Sequence, residues 1–141
     1  FMRTPKRFAL GNMIIQAYKD SKINVFSTNP IIRGYGNASD ISKLAIAWAF
    51  GEIKIKKNSI IDTVSQEISL LDLAHLVSSV FDSVPVTHDI NPKLNPEIYS
   101  SSDQRYVEMA MSIDHQVMSL REQILDTFYS IFPEVASEHY K

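Results

Sequence analysis

Apolar side chains recur at helical spacing along most of the chain. Behind Thr4-Pro5, Leu10, Ile14, Ala17 and Tyr18 keep to one helical face. A threonine hydroxyl can cap free amides and proline is tolerated at the first helical position, so the pattern predicts a helix over 5–21. A second helix is predicted from a Ser39 cap through the body 41–50, which is apolar nearly all round and is stopped by Gly51. Such a helix belongs in a core, with Trp48 as its largest piece. Over 52–56 the order Glu-Ile-Lys-Ile-Lys alternates charged and apolar residues as a half-exposed strand does, with 23–26 as a short strand that could pair with it in a hairpin.

Ile60, Ile61, Val64, Ile68 and Leu71 predict a further helical stretch. It is divided where Ser69 and Asp72 form a capping arrangement, and Pro85 ends it. The three prolines and the polar run within 85–102 predict an irregular connection, and Asn29-Pro30 with Gly34-Tyr35-Gly36-Asn37 predicts another loop over 22–37. From 103 to 132, Tyr106, Ala110, Ile113, Val117, Leu120, Ile124, Phe128 and Ile131 hold an almost unbroken four-three spacing. At 1.5 Å per residue this is a helix of roughly 45 Å. A globule of this chain length is only about 37 Å across. The helix must therefore bend or meet a partner, and Tyr106, Ile113, Val117, Leu120, Ile124 and Phe128 form a candidate dimer seam. The expected fold is mainly α: one domain over 1–141, a bundle-like set of four to five helices with a long C-terminal helix and room for a small hairpin.

Composition adds two exclusions. The chain has no cysteine, so a disulfide framework, a thiolate nucleophile and a Cys-based zinc site are all out, and a reducing compartment, cytoplasm or nucleoplasm, is expected. No apolar run reaches the roughly 18 to 20 residues of a membrane span, and the basic start carries no cleavage-site pattern of a secretory leader. Net charge is −2, but this total conceals an asymmetry: 1–57 holds ten Lys or Arg against three acidic residues, and 58–141 holds four against thirteen.

That asymmetry outweighs every catalytic motif. His75 followed by His88-Asp89 resembles the metal-binding pattern of the HD phosphohydrolases, all-helical enzymes that use a His, a His-Asp pair and a later Asp. The resemblance covers only those three residues, with Asp103, Asp114 or Asp126 as the fourth ligand. It implies a metal-dependent hydrolase, but its histidines are closer together than is usual in that family and the pair falls in an irregular segment. Asp72 and His75 on one helix face, with Glu108, His115 and Glu122 on the last helix, could build a bundle metal site, yet the latter three lie opposite the apolar seam and fit a solvated face better. No G-x-S-x-G elbow, S-x-x-K or P-loop occurs, and Gly34-Tyr35-Gly36 lacks the third glycine of a dinucleotide fingerprint. Asn37-Ala38-Ser39 matches a glycosylation sequon, which the missing cysteines argue against using.

The basic half supplies the leading expectation. Arg3, Lys6, Arg7, Arg33, Tyr35, Lys43, Lys54, Lys56 and Lys57 mix cations with an aromatic ring, as phosphate-backbone binding requires. The expected function is a non-enzymatic regulatory or accessory protein that binds an anionic partner, nucleic acid, through this half, without a cofactor. A helical protein-interaction module (adaptor, chaperone or inhibitor) is the first alternative and the HD-like phosphohydrolase the second.

Overall fold

In the computed structural model, which describes residues 4–101 and 103–135, the chain starts on a single 3-10 turn, Pro5–Arg7, and then enters α1 (Ala9–Ile15). The helix widens into a π turn over Gln16–Asp20 and stops at Ser21, whose φ is 51°. The predicted first helix is thus present, broken once at extended Phe8. α2 (Ala38–Ala49) follows the capping residue Asn37, two residues earlier than the Ser39 cap expected, and Gly51 leaves it with φ 79°. α3 (Leu70–Val80) starts as predicted, with the Ser69 hydroxyl accepting from the Asp72 amide at 3.0 Å.

The expected helical bundle is corrected: the chain is α/β, with five short strands in two sheets among the described residues. β1 (Ile23–Val25) pairs in parallel with β4 (Val86–His88), in the register Ile23 to Val86. β2 (Ile31–Tyr35) is the centre of the second sheet, antiparallel to β3 (Gln66–Ser69) and parallel to β5 (Glu97–Tyr99). β2, β4 and β5 each begin directly after a proline: Pro30, Pro85 and Pro96. Proline fixes its own φ and biases the preceding residue to extended backbone, so it can open a strand as well as end a helix. Strands of three to five residues are too short for alternation to register, which is why these segments read as loops.

Three further elements differ from expectation. The alternating segment 52–56 forms no strand: it finds no strand to pair with among the described residues, and only Ile53 of it is buried. Residues 60–65 are not helical, because their backbone runs alongside β2, where the Ser65 amide donates to the Tyr35 carbonyl at 2.8 Å. The long C-terminal helix is two helices, α4 (Arg105–Met111) and α5 (Leu120–Ile131). Between them Asp114 adopts φ 52°, and a full capping box of Ser119 and Glu122 restarts the helix. The break resolves the length problem that a 45 Å rod would have posed.

Two cores result. The larger joins α1, β1, α3 and α5 around Ile14, Ile23, Leu73, Val77 and Ile124, all fully enclosed. The smaller joins α2 and α4 around Leu44, Ala47, Ile53, Tyr106 and Ala110. The seam residues are spent on these cores: Leu120, Ile124 and Phe128 in the first, Tyr106 in the second with Ile113 and Val117 packed against it. They lie on two helices and the turn between them, so no continuous dimer seam runs along the chain. Trp48, expected in the core, is 53% exposed, because the helix buries its Asp40, Leu44 and Ala47 stripe instead.

Candidate functional site: an Arg33 cavity at the head of α2

β2 puts Arg33 and Tyr35 on one side of the central strand, since side chains alternate. Gly34 and Gly36 make that placement possible. A Cβ on Gly34 would stand 2.6 Å from both the Ser100 hydroxyl and a Val64 methyl, and one on Gly36 would collide with the Thr63 carbonyl. Glycine leaves room for the Ser100 and Val64 side chains at 34 and for the Thr63 backbone at 36. The strand then turns directly into α2, so the head of that helix lies beside Arg33.

These residues, with Arg7 from the first turn and Gln123 and Asp126 from α5, line a cavity of about 490 Å³. Asn37 organises its floor. Its Oδ1 accepts from the amides of Ser39 (2.7 Å) and Asp40 (3.3 Å), and its Nδ2 donates to Asp126 at 3.0 Å. Gln123 is buried and donates to the Ser65 hydroxyl (3.2 Å) and the Met118 carbonyl (3.0 Å). Burial pushes the Tyr35 phenol above its ordinary range, against the opposing pull of Arg33, and its buried hydroxyl has no hydrogen-bond partner among the described residues.

Arg33 has no carboxylate partner among the described residues. Its guanidinium lies over the Tyr99 ring, 5.4 Å from the centroid. The Tyr99 hydroxyl donates to Glu97 at 2.9 Å, and Asn29 donates to the other Glu97 oxygen at 2.6 Å. Those two hydrogen bonds, Asn29 first, hold the Glu97 carboxyl below its ordinary range, and the Glu97 carboxylate raises the Tyr99 phenol. An aromatic platform can orient a guanidinium without neutralising it, so Arg33 keeps its charge and its fork of donors for an anion.

Of the nine residues expected at an anionic surface, Arg7, Arg33 and Tyr35 converge on this cavity. Lys6 lies on the same first turn, Lys43 is exposed on α2, and Arg3 is outside the described residues. Lys54, Lys56 and Lys57 follow the far end of α2 and line two other cavities. The 12 residues of α2 put roughly 18 Å between its two ends, so the basic residues form two groups. Gln123 and Tyr99 were not singled out in the sequence, Asp126 only as a fourth ligand of the HD pattern and Asn37 only as a turn residue and sequon asparagine. Asn37 alone carried a signal, as a capping residue type two positions before a serine.

His75 is exposed on α3, while His88 and Asp89 line a shallow pocket with Asn24 and Phe26. Among the described residues no three His, Asp or Glu side chains gather as a metal site would need, which separates His75, His88 and Asp89 from the HD pattern they resembled. The ion pairs that fix local geometry include Asp103 with Arg105 (2.6 Å) and His115 with Asp40 (2.9 Å). No helix among the described residues is long and apolar enough to cross a membrane.

The Asp103 pair offers a direct check of the local geometry. Arg105 side-chain and backbone donors lower the Asp103 carboxyl to about 2. A depressed carboxylate stabilises the fold above its unfolded value, near about 4, and that contribution is lost as pH falls from there through 2. A carbon-detected NMR titration is expected to place Asp103 near 2 in the native chain and to return it toward the ordinary range in Arg105→Ala. An Asp103 titrating normally in the native chain would refute the pairing.

No known protein family matches the chain, and no curated protein sequence does. Among solved structures the chain is similar in fold to TunA, an NAD-dependent NDP-hexosamine 5,6-dehydratase involved in tunicamycin biosynthesis, with a TM-score of 0.62 at 14% sequence identity. The match covers 88% of this chain and 39% of that one, so this chain spans about two-fifths of the TunA chain.

Proposed function

We propose that the chain supplies the ligand-binding part of a protein acting on a sugar nucleotide, and that Arg33, assisted by Arg7, holds the ligand's diphosphate. The observation that carries this reading is an arginine with no carboxylate partner, held over Tyr99 at the mouth of a cavity about 490 Å³ in volume. Small-ligand sites usually have volumes of about 300 to 1,000 Å³ with a few convergent polar groups. On this reading Asp126 is offered to a sugar hydroxyl, while Asn37 and Gln123, already hydrogen-bonded within the chain, hold the lining in shape. The fold shared with a protein that acts on an NDP-hexosamine supports the choice of ligand class.

A dinucleotide does not fit this chain. Its four glycines, at 11, 34, 36 and 51, contain no G-x-G-x-x-G run, so the chain offers no cradle for a nicotinamide cofactor and no redox step is assigned to it. Its part is to bind and orient.

Isothermal titration of the purified chain with UDP-N-acetylglucosamine, UDP and free N-acetylglucosamine tests the proposal. The two diphosphates are expected to bind and the free sugar is not. Arg33→Ala is expected to weaken both by about tenfold to a hundredfold, the worth of charge-assisted hydrogen bonds, while Arg33→Lys restores only part. Nucleic acid is the competing ligand, and a single-stranded RNA belongs in the same series. Tight RNA binding lost on reversing Lys54, Lys56 and Lys57, with no response to UDP, would reject the sugar-nucleotide reading in favour of a polyanion surface.

A further inference from the structure

Trp48 is the chain's only tryptophan, and it stands on the last turn of α2 with 53% of its surface exposed. Beyond Gly51 the chain turns Ile53 and Ile55 toward the smaller core and leaves Lys54, Lys56 and Lys57 exposed. The alternation of 52–56 is therefore spent on packing and not on pairing in a sheet. A turn follows, in which the Ser59 amide donates to the Lys56 carbonyl at 3.1 Å. Asn58 takes the left-handed φ of 64° there, which asparagine tolerates better than most residues. This turn sets Lys56, Lys57, Asn58 and Ser59 around the same cavity as Trp48, about 390 Å³ in volume, with Ile61 also in its lining.

A second cavity of about 590 Å³ shares Lys56, Ser59 and Ile61 with the first and adds Lys54 and Arg105, so the two adjoin as one groove. Arg105 is engaged by Asp103, and Glu52 and Glu108 also line the second cavity. Among the described residues, however, no carboxylate pairs with Lys54, Lys56 or Lys57. Three unneutralised ammonium groups beside one exposed indole suit a ligand that is both anionic and flat. A single-stranded nucleic acid is both: a base of any identity stacks on the ring, and the phosphates beside it meet the lysines. A duplex keeps its base faces inside the stack and has none to offer the indole. A bilayer receives apolar side chains that protrude, whereas this indole belongs to the wall of a cavity whose lining includes polar Asn58 and Ser59.

We infer that the groove at the end of α2 binds single-stranded nucleic acid, with a base stacked on Trp48 and the phosphates held by Lys54, Lys56 and Lys57. The 12 residues of α2 put roughly 18 Å between this groove and the Arg33 cavity, so the two sites are separate. The inference does not depend on what the Arg33 cavity holds. Binding of a single strand at Trp48 together with UDP at Arg33 is the expected combination.

Because Trp48 is the sole tryptophan, its fluorescence reports on this groove alone. The purified chain is titrated with an oligouridylate and an oligothymidylate of about 12 nucleotides, a length within the range of single-strand sites. Saturable quenching of the Trp48 emission is expected. The logarithm of affinity should fall with the logarithm of salt with a slope of about −2, three phosphates at about −0.7 each, and Lys56→Gln with Lys57→Gln should reduce the slope to about −0.7. On a fluorescein-labelled strand, Trp48→Ala is expected to weaken binding by about tenfold or more, the worth of one stacked base, and Trp48→Phe to regain most of it. Saturating UDP should leave the quenching unchanged. No quenching by either strand, or an affinity indifferent to Trp48→Ala, would overturn the inference. Displacement of the strand by UDP would also overturn it, by putting the strand in the Arg33 cavity, as would equal binding of a duplex. Quenching by phosphatidylserine vesicles and not by the strands would make the groove a membrane contact and reject the nucleic-acid site.

Discussion

Phe128→Ala is expected to lower the unfolding free energy by about 4 kcal/mol, a large part of the roughly 5 to 15 kcal/mol that holds a domain of this size together. Phe128 is 7% exposed, and its ring meets Tyr18 at 5.0 Å, Phe81 at 5.1 Å, Tyr129 at 5.3 Å and Phe132 at 5.4 Å between centroids. The Tyr18 and Phe81 contacts are edge-on, the geometry that adds attraction beyond area burial. This one ring ties the π turn after α1, the end of α3 and the last turns of α5, so truncating it opens a cavity bordered by three elements that cannot all collapse into it. Phe128→Leu keeps much of the volume and is expected to recover more than half of the loss. Urea unfolding followed by circular dichroism reads both, with an unchanged slope. A loss under about 1 kcal/mol for the alanine variant would mean that the aromatic cluster is not packed as described.

That ring also marks how far the sequence could be read. Its place in a four-three spacing identified Phe128, Ile124 and Leu120 as one apolar face, and the face is buried as the spacing requires. What covers it was not legible, because periodicity reports that a face is apolar and not whether α1 and α3 or a second copy lies against it. The break at 112–119 was hidden for a similar reason. Ile113 and Val117 keep the spacing through a segment that is not helical, while the contact between His115 and Asp40, 75 residues apart, leaves no local trace. The Ser119 and Glu122 capping box was written in the sequence and was masked by the continuity of the spacing around it.

The strands failed differently. β2, β4 and β5 are each set by long-range pairing after a proline, and proline reads locally as a stop. The site was partly legible. Arg7, Arg33 and Tyr35 stood out by charge and ring type, but grouping them with Lys54, Lys56 and Lys57 followed chain proximity, and α2 separates the two groups in space. Asp126 and Gln123 reach the cavity from α5 and Tyr99 reaches Arg33 from β5, and only the folded arrangement distinguishes them from surface polar residues. The long apolar stretch of α2 was read as core, and the chain by itself leaves one arc of it open.

Asp40→Ala is expected to cost about 3 kcal/mol of stability and to loosen the Arg33 cavity as well. Asp40 is 1% exposed at the head of α2. Its Oδ2 accepts from the Met118 amide at 2.8 Å and its Oδ1 lies 2.9 Å from His115 Nε2, so one carboxylate anchors the whole turn between α4 and α5. Removing it leaves a part-buried backbone amide and a part-buried imidazole nitrogen without their acceptor, and a group shut off from water without its partner costs about 1 to 3 kcal/mol. Asp40→Asn keeps an acceptor for the amide and is expected to lose less than half as much. The turn carries the Met118 carbonyl that accepts from Gln123, and Gln123 lines the cavity, so the effect passes from Asp40 through the turn to the ligand site. Two measurements separate this from general destabilisation. In hydrogen exchange, the Met118 amide of Asp40→Ala should lose protection well before the amides of α3 do. At a temperature where the variant is fully folded, UDP affinity should fall severalfold while Phe128→Leu leaves it unchanged. If the Met118 amide stays as protected as in the native chain, Asp40 does not hold the turn and the proposed coupling to the cavity is wrong.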